Sequence, residues 1–298
     1  MGIRGLFVGI NQYSERPLRG CVNDVTGVRD LLQSQHGLLP EQTRLLTDGE
    51  ATRDAIVAGL RWLAEPDDGA GPPVRVFHYA GHGVQRADAN GDEPDGSDEC
   101  LQPFDHASAG MLTDDSLAEL YGGFLDSTRL LLLMDCCHSG TISKDIFSDV
   151  RYRFTPITPE EHKKIESARH EFKRRQLSHV VGMLEDVRSR GATGEELGQA
   201  AAEIIAAVQK QSFGKPQSQQ NVVLLAACKP EQTAADANFG GSYHGAMTFF
   251  LSLALRNAPG ITYEDLAEQL RRQLYDNKFA QVPQLECDLQ HLKRPFLG

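Results

Sequence analysis

Short apolar runs at 4–10, 74–79, 130–134 and 221–227, separated by stretches with helical periodicity, constrain this chain more than any other feature. Such runs read as strands buried on both faces, and strands alternating with helices of about ten residues build a parallel sheet covered on each side. Helices are expected at 24–35, 52–64, 114–121, 246–257 and 263–275, the second capped by Thr52. Short strands at 44–46 and 285–287 complete the pattern, an α/β domain with a mostly parallel sheet.

Two of these runs end in chemistry. His82 stands just past 74–79, between Gly81 and Gly83, and Cys137 just past 130–134, followed by His138, Ser139 and Gly140. Neighbouring parallel strands lie about 4.8 Å apart, so a thiol and an imidazole would leave the same sheet edge, where open α/β sheets place their ligands. That is the arrangement of a cysteine nucleophile with a histidine acid/base. A buried cysteine is ordinarily a small hydrophobe, but polar, glycine-rich punctuation after a strand marks an exposed loop. The backbone N–H groups of Gly83 and Cys137 are the natural oxyanion donors. No Asp or Asn that would orient His82 is identifiable, so a dyad is expected. Strand alternation turns Cys136 to the opposite face. His78 lies inside a strand and reads as packed, and His138 is too close to Cys137 to face it.

The rhythm breaks after 150. Ile165, Phe172, Val180, Leu184 and Val187 stripe one long helix, Thr193 and Glu196 have capping-box spacing, and Leu197, Ala201, Ile204, Ile205 and Val208 stripe a second. We read 155–211 as a helical hairpin inserted into a single domain at 1–298, with 212–220 as a linker. The insertion and linker (151–220) then divide a first half (1–150) from a last (221–298). The formal charge of −11 argues against nucleic-acid or anionic-membrane partners and suits a cationic substrate. It is uneven: 151–215 holds 12 Lys/Arg against 9 Asp/Glu, so the acidity resides where the candidate chemistry is. Six cysteines without metal-ligand spacing, and no signal-like or membrane-spanning segment, point to a reducing cytoplasm.

Several motifs in order resemble those of the caspase-like cysteine peptidases, most closely the metacaspase and orthocaspase branch. Arg19-Gly-Cys-Val-Asn-Asp24 is similar to an early loop motif, Phe77-His-Tyr-Ala-Gly-His-Gly83 to the histidine motif, and Asp135-Cys-Cys-His-Ser-Gly140 to the nucleophile motif. The acidic stretch 91–99 with Leu101-Gln-Pro103, Cys228-Lys-Pro-Glu-Gln-Thr233 and Gly245-Ala-Met-Thr248 complete the series. Ala80 and Cys136 stand where the family commonly has Ser, and the hairpin is outside the shared pattern. The resemblance implies a three-layer sandwich with a six-stranded sheet, and amide hydrolysis after Arg or Lys. By position Asp24 and Asp135 match the carboxylates of the basic-residue pocket, with Gln232 and 234–236 lining the cleft. Two carboxylates suit a guanidinium fork. The plainer readings are a helix cap for Asp24 and structural support for Asp135.

The family also offers a calcium site, with counterparts at Asp98, Asp114, Asp115 and Asp145. No cofactor is required for the chemistry, so calcium would act as an activator. An EF-hand reading of the loop from Asp88 is weak, because Glu93 stands where glycine is needed. Many relatives are zymogens, and the basic segment 151–215 carries Arg153, Lys163, Lys164, Arg174, Arg175 and Arg190, expected to be exposed sites of self-cleavage. The partners expected are protein substrates with exposed Arg or Lys and an upstream activator, acting on a monomer. The competing readings are a silent scaffold that recruits partners through the basic hairpin, and a dyad hydrolase or transferase of small molecules.

Overall fold

A computed structural model of the chain describes residues 2–66, 73–91, 93, 95–124, 127–137, 150–190, 193, 194, 196, 198, 199, 221–229 and 232–298. The chain forms two compact units. The first comprises Met1–Val84, Glu99–Pro156 and Ser218–Gly298, the second Gln85–Asp98 and Ile157–Gln217.

The first unit is built on six strands: β1 (Ile3–Gly9), β2 (Thr43–Thr47), β3 (Val74–Ala80), β4 (Arg129–Asp135), β5 (Val222–Ala226) and β6 (Gln284–Cys287). They lie in the order β6-β5-β4-β3-β1-β2. All neighbours are parallel except β5 and β6. Every residue of β3 is buried, the signature of a strand covered on both faces. The register pairs Gly9 with Ala80 and Ala80 with Asp135, so the carboxyl ends of β1, β3 and β4 finish together.

Helices α1 (Cys21–Gln35) and α2 (Arg53–Ala64) take opposite faces of this sheet. A Cβ on Gly9 would strike Val25 and Cys21 of α1, whereas Gly59 of α2 closes on Leu6, which points the other way along β1. Thr52 caps α2 by accepting from the Ala55 N–H. Ile56, Gly59, Leu60 and Leu63 form its buried stripe, and each fully buried Leu or Ile contributes about 1.5–3 kcal/mol. Arg75, buried on β3, donates to the Leu63 and Glu65 carbonyls at the helix's C-terminal end, where a cation complements the dipole. Helices α3 (Asp114–Tyr121), α5 (Ala246–Asn257) and α6 (Tyr263–Asp276) fall where helical periodicity placed them; α4 (Pro159–Ser189) belongs to the second unit.

Helix α1 starts three residues earlier than expected, at Cys21 with Gly20 as its cap, so Asp24 is not a capping residue. The periodicity also gave no sign of the short antiparallel strands Arg151–Tyr152, Ala235–Phe239 and Ser242–Gly245, which form a separate sheet with Ala235–Phe239 in the middle. Such short strands, of two to five residues, carry little pattern of their own, since partners distant in sequence make them.

The second unit holds α4 (Pro159–Ser189), capped by Thr158 and begun by proline. Ile165 is buried and Phe172, Val180, Leu184 and Val187 are half-buried, the stripe the sequence outlines, while Leu177 is exposed. Glu161 accepts from the Ala87 N–H and Arg169 donates to the Asp95 carbonyl. Asp88 accepts from the N–H groups of Asn90, Gly91 and Glu93, closing the acidic loop on itself. Thr193 and Glu196 form the expected reciprocal cap. Asp145, His138–Gly140 and most of the second hairpin helix and linker lie outside the described residues.

Candidate active site

Strands β3 and β4 deliver His82 and Cys137 to one edge, as their register requires. Just beyond the Ala80–Asp135 pair, the Gly81 N–H donates to the Asp135 carbonyl at 3.4 Å. Gly81 is obligatory, because a Cβ there would lie 2.6 Å from the Tyr13 hydroxyl and 2.7 Å from that of Tyr79. These tyrosines fix His82 from below. The His82 N–H donates to the Tyr13 hydroxyl, Tyr79 donates to the His82 carbonyl, and the Tyr13 ring centroid is 4.4 Å from the imidazole.

The His82 ring is fully buried, and its Nε2 lies 2.8 Å from the carbonyl oxygen of Arg16. A carbonyl only accepts, so this contact assigns the ring proton to Nε2 and leaves Nδ1 as the bare, basic nitrogen. Burial lowers the imidazole pKa to about 4, so it is neutral near pH 7. The orienting group missing from the sequence is therefore a main-chain carbonyl. Arg16 adopts φ 55 to present it, a left-handed conformation uncommon for a residue with a side chain.

Cys137 is fully buried, with its sulfur against the Ala234 N–H. Cys136 is also buried, and burial, followed by the neighbouring Cys137 and Asp135, holds its thiol protonated. Cys228 is likewise held protonated, first by a hydrogen bond with Cys137 and then by burial. His78 is packed as expected: burial lowers its pKa to about 3, and neither ring nitrogen has a hydrogen-bond partner among the described residues.

Beside Cys137 lies a pocket of three buried carboxylates, Asp24 on α1, Asp135 at the end of β4 and Asp236 on the Ala235–Phe239 strand. All three surround the guanidinium of Arg153. Its Nη2 is 2.5 Å from Asp24 and 3.0 Å from Asp236, and its Nη1 is 3.2 Å from Asp135. Burial alone would disfavour its charge, but Asp135, Cys21, Asp24 and Asp236 together hold it firmly protonated. The carboxylates are themselves positioned. Asp24 accepts from the Gly245 N–H and His244, Asp135 from both the hydroxyl and N–H of Thr248, and Asp236 from the Arg19 and Gly20 N–H groups. Gly245 has no room for a side chain, since a Cβ would sit 2.2 Å from Asp135 and 2.5 Å from Arg153.

Main-chain bonds complete the arrangement. Arg151–Tyr152 pairs antiparallel with Ala235 and Asp236, and the Arg153 N–H donates to the Ala234 carbonyl at 3.1 Å. The Arg153 carbonyl accepts from the N–H groups of Gly83 and Cys137, each at 3.1 Å. Phe154 bridges Gly83, and the Thr155 N–H donates to the Gly83 carbonyl at 2.9 Å. An extended segment thus places an arginine among three carboxylates and its carbonyl on both expected oxyanion donors.

Arg153 is accordingly not an exposed site. The pocket buries it completely, because its charge is worth burying only where carboxylates already wait. Lys164, Arg174, Arg175 and Arg190 are exposed on or beside α4. The Gln232 side chain bonds the main chain of Lys229, Ala280 and Val282. Asp98 is buried, Asp114 half-buried and Asp115 exposed. Burial raises the Asp114 pKa, opposed by hydrogen bonds from the Glu99 and Asp115 main chain. Among the described residues no three acidic, histidine or cysteine side chains converge as a metal-binding group. Sequence reasoning placed 234–236 along the cleft but did not single out Asp236, whose signal is an acid amid Ala234, Ala235 and Ala237. Arg16, His244 and Thr248 were not singled out either.

A thiol and a neutral imidazole on adjacent strand ends, with two N–H groups converging on one carbonyl, match the arrangement expected of a caspase-type cysteine peptidase. The chain belongs to that family, for the family model described as Caspase domain matches residues 4–293. It is 32% identical over 305 residues to Metacaspase-1 of Yarrowia lipolytica, covering 95% of this chain but only 61% of that protein. It is 30% identical over 298 residues to Metacaspase-1 of Ajellomyces capsulatus, covering 95% and 79%. A crystal structure of a Geobacter sulfurreducens protein shares the fold with a TM-score of 0.62 at 23% identity, covering 99% of this chain and 98% of that one. No helix among the described residues is long and apolar enough to cross a membrane.

Proposed function

We propose that the protein is an endopeptidase that cleaves polypeptides after Arg or Lys through an acyl-enzyme on Cys137. The observation that carries this reading is Arg153, whose side chain and carbonyl together occupy the positions a substrate's residue would need. Nδ1 of His82 takes the Cys137 proton as sulfur attacks the carbonyl carbon. The Gly83 and Cys137 N–H groups hold the resulting oxyanion, such donors being worth about 10²–10³ in rate. His82 then protonates the departing amine, and water, activated by the same imidazole, hydrolyses the thioester. Arg is favoured over Lys, because three carboxylates arranged around a plane match a guanidinium fork better than a point charge.

Self-processing falls within 151–215, and the resident segment must leave the cleft before an outside substrate enters, a step that an upstream activator would promote. Six free cysteines suit a cytoplasmic setting, and we read the protein as a monomer.

Peptides ending in Arg, Lys or Asp before a fluorogenic amide test the reading, with calcium and with chelator, beside Cys137→Ala. Arg and Lys turnover that the variant loses by about 10³-fold or more is expected. Cleavage after Asp would overturn the pocket assignment, and silence under every condition would leave a latent zymogen awaiting a partner or the scaffold.

A further inference from the structure

The chain does not stop at Arg153 in the cleft. Phe154, the next residue, is fully buried, and the guanidinium carbon of Arg16 lies 4.8 Å from its ring centroid. Arg16 is itself exposed, so its side chain roofs the phenyl ring, whose face attracts a cation. The residue beyond is also held: the Thr155 hydroxyl donates to the Gln102 side-chain oxygen at 2.6 Å, and its N–H to Gly83. On the other side of Arg153, Arg16, Pro17 and Leu18 wall a groove of about 320 Å³ along Val150, Arg151 and Tyr152. The loop carrying Arg16 therefore borders the resident segment on both sides of the arginine.

We propose that Arg16 is a specificity-determining residue that selects an aromatic side chain immediately after the cleaved bond, and that Arg153–Phe154 is the bond the chain presents to its own nucleophile. This rests on the peptidase reading above. The Cys137 sulfur bonds to the Arg153 carbonyl carbon, the C–N bond to Phe154 breaks, and the thiol proton passes through His82 to the Phe154 nitrogen. Water then releases Arg153 as a carboxylate, leaving Phe154 as a free amine. The backbone of Arg16 orients His82 while its side chain covers the leaving residue, so one residue serves base and leaving group together. A phenyl ring both buries apolar surface and meets a cation there; glycine does neither, and an aspartate would exchange that ring contact for an exposed ion pair of little worth.

Internally quenched peptides spanning Tyr-Arg-Xaa, with Xaa as Phe, Leu, Gly or Asp, test the pocket by kcat/KM. Phe is expected to exceed Gly by about tenfold or more, the scale of one such contact. In Arg16→Ala that ratio falls towards one, and in Arg16→Lys it is partly restored. A loss that struck all four peptides equally would mark Arg16 as merely structural and overturn the proposal. Incubated wild-type chain should yield a new N-terminus at Phe154, slowed in Phe154→Gly; a first cut elsewhere overturns the assigned bond. Turnover of Arg peptides without any preference at Xaa sinks this inference alone, whereas no turnover of any Arg peptide sinks it together with the peptidase reading.

Discussion

Two arginines of this chain, Arg153 and Arg174, each pair with carboxylates under opposite conditions. Arg174 lies 3.7 Å from Glu171 one turn earlier on α4, with both side chains largely in water. Arg153 meets three carboxylates from three distant parts of the chain and is shut away from solvent. In water such a pair is worth about 0–1 kcal/mol. Inside, desolvation makes every charge depend on its partners, and removing one partner costs about 3–5 kcal/mol. The exposed pair decorates a helix, while the buried cluster makes a strict demand for positive charge.

The largest break of this contrast is Arg153→Ala. It strands three buried carboxylates, and we expect a loss of about 3–5 kcal/mol in unfolding free energy, against under about 0.5 kcal/mol for Arg174→Ala, both read by chemical denaturation. Next comes Asp236→Asn, which keeps the shape of the pocket and removes one charge. Its kcat/KM for Arg peptides should fall by about 10²–10³-fold, whereas Glu171→Gln leaves it within about twofold. Gly245→Ala pushes a methyl group into Asp135 and Arg153, so Arg peptides should lose about tenfold or more, mainly in KM; an unchanged KM would mean the pocket wall yields.

Buried histidines supply the gentlest test. His82 and His78, at about 4 and 3, are held neutral in the folded chain, while the unfolded chain protonates them near 6.5. The unfolded state thus binds more protons as pH falls, and their stabilising contribution, present above about 6.5, is lost progressively towards 4 and below. Each should remove about 1 kcal/mol between pH 7 and 5.5, and His78→Leu should blunt the slope by about half. A melting temperature flat over that range would refute the burial of both rings.

Much of this was legible before any fold was known. The apolar runs foretold β3 and β4, and glycine punctuation marked the loops with His82 and Cys137, because strand burial and turn chemistry are written in consecutive residues. Position within motifs pointed to Asp24 and Asp135. The resident segment was read as part of an exposed basic stretch, because nothing local distinguishes Arg153 from Arg174.

Sequence by itself determined the parallel sheet, the two strand ends that carry His82 and Cys137, and the acidity of their surroundings. These follow from periodicity and from residue types a few positions apart. Only the tertiary structure decided which arginine fills the pocket, that Asp236 is its third wall, and that a main-chain carbonyl at Arg16 orients His82. A pocket assembled from residues 24, 135, 153 and 236 exists only once the strands are in register, and a carbonyl, common to every residue, leaves no signature in the sequence.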